Sequence, residues 1–220
     1  MRGGHDVSVV TESELLAEVE TRFSFSGRGL RQWPDPHPDR PPRDEEYSRL
    51  LDPAKWRILG ARAQAWIDAL VGTGLGTVEL DTSVAWLEVP RVVTSRVDRV
   101  VPRAADALDL VVVRTHIGDV EGAGVTLGAG DPPTCVEVFP VCGCDACDDG
   151  SQAELENLDR HFLGIVTGAF LRLSNGPRTI TVIAPSGWSA SGLAAHEVEA
   201  VLADPTGWVV LTGASWLTAT

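Results

Sequence analysis

The chain has 220 residues, enough for one substantial domain or a large domain with an appendage. Its 44% hydrophobic and 22% charged content is that of an ordinary globular protein. A formal net charge of −13 argues against a nucleic-acid partner and against adhesion to an anionic membrane surface.

Thr11-Glu12-Ser13-Glu14 offers a capping box. Leu15, Leu16, Val19 and Phe23 follow at helical spacing, predicting a short amphipathic helix to about Phe23. Residues 24–31 read as a Gly/Ser-rich break. The segment 33–43, WPDPHPDRPPR, holds five prolines in eleven residues and must be extended, because proline lacks the donor that a helix needs. It is expected to lie as a strap over its own domain with Trp33 as anchor. The alternative is a polyproline ligand for a partner protein.

Asp52-Pro53 marks a helix start, and Trp56, Leu59, Ala63, Trp66, Ile67 and Leu70 form one apolar stripe ending at Gly72 to Gly74. Strand-like runs follow at 78–89, 92–101, 108–115, 124–127 and 135–139. Their short connections require antiparallel pairing. The run at 108–113, apolar on both faces, is the expected central strand. A second capping box at Ser151-Gln152-Ala153-Glu154 opens a helix expected to keep its period through Leu173, until Asn175-Gly176-Pro177. A strand at 179–184, a helix at 193–202 and a last strand at 208–211 complete the reading.

The order of elements predicts an α+β fold: a mostly antiparallel sheet of about five to seven strands, with helices mainly on one face. Residues 1–43 form an N-terminal helix and strap; residues 44–220 form the α+β unit. The N-terminus shows no run long enough for a signal peptide, and no stretch approaches the roughly 20 apolar residues of a membrane span. A cytoplasmic, reducing location is expected. Seventeen of the eighteen basic residues are arginine, with Lys55 the one lysine, a pattern that reads as the coding bias of a GC-rich genome.

Three of the four cysteines fall within six residues, Cys142-Gly143-Cys144-Asp145-Ala146-Cys147, between a predicted strand and a predicted helix. Thiolates around zinc sit roughly 3.5–4 Å apart with the ion about 2.3 Å from each. Cys144-x-x-Cys147 supplies such a pair, and Cys142 joins it if Gly143 takes a positive φ. The fourth ligand is left open among Cys135, His161 and water, with Cys135 the most natural by chemistry. Asp145, Asp148 and Asp149 favour a cation and disfavour a reactive dithiol, which needs its thiolate stabilised. Plain reduced thiols, redox chemistry and a disulfide are the competing readings.

Other chemistry finds little support. The zinc deaminase pattern fails at His116, followed two residues later by Gly118, and at Pro140, followed by Val141. His196-Glu197 lacks the second histidine of a metalloprotease helix, because position 200 is alanine. His116 reads more readily as a structural histidine than as a base. The glycines at 122–130 lack a phosphate-loop lysine, and the serines around Trp188 lack a nucleophile elbow. Trp188, Trp208 and Trp216 read as core and rim more readily than as a ligand groove.

The residues Trp33-Pro34-Asp35-Pro36-His37-Pro38, Tyr47-Ser48-Arg49 before Asp52-Pro53, and Phe139-Pro140 leading into CGCDACD resemble an uncharacterised bacterial family. It is domain-of-unknown-function family 6226, found mainly in actinobacteria. The resemblance implies no activity, and it makes the cysteine block a family feature. The expected function is a binding or interaction module with zinc held structurally by Cys142, Cys144 and Cys147. One alternative is a metal- or thiol-dependent enzyme using the same cluster, with His116 or His161 as acid or base. Another is a partner-binding protein acting through the strap.

Overall fold

The computed structural model describes residues 9–87, 90 and 92–217. Among the described residues four α-helices and nine strands make an α+β fold, as expected, but the strands divide between two antiparallel sheets. The helices are α1 (Glu12–Ser26), α2 (Arg57–Gly72), α3 (Ser151–Val166) and α4 (Ala195–Ala203). The larger sheet has β1 (Gly76–Glu79), β2 (Thr94–Pro102), β3 (Leu110–Ile117), β4 (Val120–Ala129) and β5 (Thr134–Phe139), in sequential order. The smaller has β6 (Phe170–Asn175), β7 (Arg178–Ile183), β8 (Gly187–Ser191) and β9 (Val209–Thr212), ordered β8-β7-β6-β9.

Helix α2 is the centre of the molecule. Its stripe of Leu59, Ala63, Trp66, Ile67 and Leu70 is wholly buried, together with Val100, Leu110, Val112, Val125 and Leu127 of the sheet. Helix α1 keeps its capping box and adds Leu15 and Val19 to the same core. Trp66 stacks on Phe162 of α3 with ring centres 5.0 Å apart. Strand β3 lies at the middle of its sheet with Leu110 to Val113 buried, as its sequence predicts.

Three sequence expectations change. The strand predicted at 78–89 ends at Glu79, because Asp81 turns left-handed (φ 49°) and its N–H donates to the buried Asp98 carboxylate. The chain then leaves the sheet and crosses its other face, where Trp86 lies over Gly128 so closely that a Cβ there would meet the indole at 2.7 Å. The positions at 88 and 89 lie outside the described residues. The helix expected to reach Leu173 stops at Val166, and Phe170 and Leu173 instead belong to β6. Asn175-Gly176-Pro177 is the turn of a hairpin, with Asn175 paired to Arg178. Strand β8, wholly exposed and nearly without aliphatic side chains, has no counterpart in the sequence reading.

The small sheet carries its own cluster of Leu173, Ile180 and Val198, with α4 on one face. Trp216 joins the main core, Trp208 the small one, and Trp188 stands 43% exposed on β8, so the three tryptophans form no common groove.

One buried ion cluster ties the helices together. Arg62 on α2, 4% exposed, donates to Asp159 at 2.8 and 2.6 Å and to Glu20 at 2.6 Å, while Trp66 Nε1 also donates to Asp159. Removing the cation leaves the half-buried Asp159 carboxylate with the Trp66 indole as its remaining partner. Arg62→Ala is therefore expected to cost about 3–5 kcal/mol. Glu20→Ala, which removes a partner 67% exposed, should cost under about 1 kcal/mol. Denaturant midpoints of the two variants check the contrast.

Candidate metal centre

Strand β5 ends at Phe139, α3 begins at Ser151, and the cysteine block occupies the corner between them. A single 3-10 turn, Asp145–Cys147, carries Cys147, with Cys144 as its N-cap. The sulfurs of Cys142, Cys144 and Cys147 all lie within 4.8 Å of one another, and Cys142 Sγ is 3.2 Å from Cys144 Sγ. The convergence does not use a positive φ at Gly143, contrary to the sequence expectation. Cys142 and Cys147 are exposed and Cys144 is half-buried. The spacing suits a thiophilic cation, whose thiolate ligands stand roughly 3.5–4 Å apart when tetrahedral.

The three thiols share protons unevenly. Burial pushes the Cys144 thiol up, but hydrogen bonds from the thiols of Cys142 and Cys147 and from the backbone N–H groups of Cys147 and Ala146 outweigh it. Its pKa ends below the ordinary value. Cys147 is pushed up to about 12, first by its hydrogen bond to Cys144, then by burial and by Cys142. Of these two thiols Cys144 is the one favoured as thiolate, and a cation beside them would favour loss of the Cys147 proton.

The other two candidate ligands stand elsewhere. Cys135 lies on β5 opposite Gly128, and the four residues from it to Phe139 make about 13 Å of strand. His161 sits on α3 with Nδ1 2.8 Å from the Asn157 carbonyl and its ring edge-on to Phe139. Burial holds its pKa below the usual histidine value. It lines a separate cavity of about 160 Å³ with Glu137, Arg160, Ser186 and Trp188. His116, near the end of β3, is half-buried and bonds through its N–H to the Val93 carbonyl at 2.9 Å.

What the sequence does not disclose is how the corner is anchored. Asp148, 2% exposed, accepts Trp33 Nε1 at 2.8 and 3.0 Å, the Gly150 N–H at 2.9 Å and the ammonium of Lys55. That lysine also lies 5.3 Å from the Trp33 ring centre and 5.0 Å from that of Trp56. Asp145 accepts Arg49 Nε at 2.8 Å and the Leu51 N–H at 3.1 Å. Arg49 also reaches Glu46, whose carboxylate accepts Arg40 and the Arg43 N–H. The hydrogen bond from Arg40 and that from the Arg43 amide together hold Glu46 down at about 2. Two of the three aspartates beside the thiols are therefore neutralised by cations from the N-terminal third.

The strap lies on its own domain. Ser151 was expected to cap α3 with its hydroxyl; instead that hydroxyl bonds the Trp33 backbone, accepting its N–H and donating to its carbonyl, each at 3.0 Å. Gly150 precedes the helix with φ 85°, and a Cβ there would meet the Asp35 nitrogen at 2.5 Å. Glycine is needed on both counts.

A chain built around this corner belongs to a family without an assigned activity. The match covers residues 19–216, and by it the chain is a member of the family of unknown function DUF6226. No curated protein and no solved structure matches the chain. Among the described residues no helix is long and apolar enough to cross a membrane.

Two outcomes test this anchoring. Lys55→Ala strands Asp148 and should cost about 3–5 kcal/mol in denaturant melts. Glu154, on the first turn of α3, is 9% exposed; burial first, then Asp149 and Asp148, raise it to about 7. From about pH 4.5 to 7 the folded chain keeps a proton that the unfolded chain has released, so stability falls as pH rises through that window. Glu154→Gln should remove this slope and exceed wild-type stability at about pH 8 by up to about 3 kcal/mol. Urea midpoints at acid and alkaline pH measure it.

Proposed function

We propose that the protein is a metal-binding interaction module in which Cys142, Cys144 and Cys147 hold a zinc ion at the corner between β5 and α3. One observation carries the reading: three sulfurs from one short loop come within 4.8 Å of one another. A divalent cation with affinity for thiolate relieves the mutual repulsion of three deprotonated sulfurs, and zinc accepts such a donor set without redox chemistry. The ion adds to a corner that is already built. Arg49, Lys55 and Trp33 fix the loop by their contacts with Asp145 and Asp148, so zinc would tighten a formed site and not nucleate the fold.

The enzyme reading has less to stand on, because the imidazole of His161 faces a different cavity from the thiols. The strap reading is weakened where Trp33 is engaged by Asp148, Ser151 and Trp56. Reduced cysteines and the acidic surface accord with a cytoplasmic home and a protein or small-molecule partner.

Native mass spectrometry of the full chain after zinc loading and desalting should show a single bound zinc that a strong chelator removes. Cys144→Ser should weaken binding by at least about 100-fold, beyond the 10–100-fold typical of outer partners of a metal site. Zinc at about 100 times its dissociation constant should stabilise the wild type by about 2.7 kcal/mol. A zinc-loaded sample that keeps the metal-free mass defeats the reading.

A further inference from the structure

We infer that the metal centre is completed from outside the chain: its fourth position opens to solvent and takes a neutral nitrogen donor of the imidazole type. The inference rests on the metal reading above and names what that ion would bind.

The argument runs through the internal donors one at a time. Among the described residues, the group able to share an ion consists of Cys142, Cys144 and Cys147, with no fourth histidine, cysteine or carboxylate joining them. Cys135 stands about 13 Å of strand from the end of β5. His161 Nδ1 is engaged by the Asn157 carbonyl, and its ring packs on Phe139 beside another cavity. Both Asp145 oxygens are taken, one by Arg49 and the other by the Leu51 N–H. Asp148 is buried beneath Trp33, Lys55 and Gly150. The chain thus supplies three donors where zinc ordinarily takes four. Exposure gives the direction of the remaining one: Cys142 and Cys147 both face solvent.

Charge selects the class of donor. Three thiolates around a divalent ion carry a net charge of −1. The cations that reach this loop, Arg49 and Lys55, already pair with Asp145 and Asp148, and the exposed Asp149 adds a further negative charge. An anionic fourth ligand would meet repulsion from all of these, whereas a neutral donor meets none. Among neutral donors, imidazole nitrogen suits zinc better than water does. Water therefore fills the position by default and gives way to an imidazole, supplied either by the histidine of a partner protein or by a small heterocycle.

The full chain, loaded with zinc under reducing, oxygen-free conditions, should show by X-ray absorption three sulfurs at about 2.3 Å and one lighter atom at about 2.0 Å. Cys135→Ser and His161→Ala should leave that spectrum unchanged. In the cobalt(II)-loaded chain, imidazole should shift the visible ligand-field bands saturably, one per metal, and azide should bind about tenfold more weakly. A tripeptide with a central histidine and blocked ends separates the two sources. Tighter binding of the peptide than of imidazole assigns the position to a partner's side chain; the reverse assigns it to a small ligand. Four sulfurs, a nitrogen lost in His161→Ala, or bands indifferent to imidazole would each overturn the open position while sparing the metal site, and azide binding the tighter would overturn the neutral class of donor. Failure to take up either zinc or cobalt would overturn both.

Discussion

The carboxylate of Asp148 is the point on which the corner of this molecule depends. It is almost completely withdrawn from water, and it accepts from an indole, a backbone amide and an ammonium that come from three separated stretches of chain. A buried carboxylate is costly unless its partners are complete. Here the demand for partners draws the proline strap and the approach to α2 onto the start of α3. The rings of Trp33 and Trp56, edge-to-face with centres 5.4 Å apart, both lie within reach of the ammonium and add cation–π attraction in a partly dehydrated setting.

The cysteines inherit their positions from that anchoring. Asp145 opens the 3-10 turn between Cys144 and Cys147 and Asp148 closes it, and each is held by a cation from the N-terminal third. The local negative charge that the sequence places beside the thiols is thereby cancelled at two of three positions. This explains how thiols can be gathered in an acidic loop without the loop repelling itself apart. It also separates the present corner from metal-nucleated domains, whose loops have no other means of closing.

Much of the architecture was legible where period and burial coincide. The stripe from Leu59 to Leu70 repeats at helical spacing because one face of α2 is covered throughout, and Leu110 to Val113 are apolar on both faces because β3 is central. The failures have local causes. Phe170 and Leu173, three apart, continue the helical period although on β6 they serve opposite faces, one in each core, and the mark of the end of α3 was Gly168, which turns left-handed (φ 74°). Leu80 to Trp86 look like more strand, but one residue, Asp81, turns them across the sheet. Strand β8 lacks the aliphatic alternation by which strands are recognised. The thiol cluster could be found because its members are neighbours in sequence. Its anchors could not: Lys55 and Asp148 are 93 positions apart, and a lone lysine in an arginine-rich chain looks like an accident of codon usage.

That rarity has a chemical consequence. The chain offers a single ε-amino group, and only 17% of that side chain is accessible. Acylation of side-chain amines, whether by a reagent or by an enzyme, thus has one target here, and success erases the charge that balances the hidden aspartate. Amine modification and integrity of the β5–α3 corner are coupled in this molecule as they would not be in a lysine-rich one.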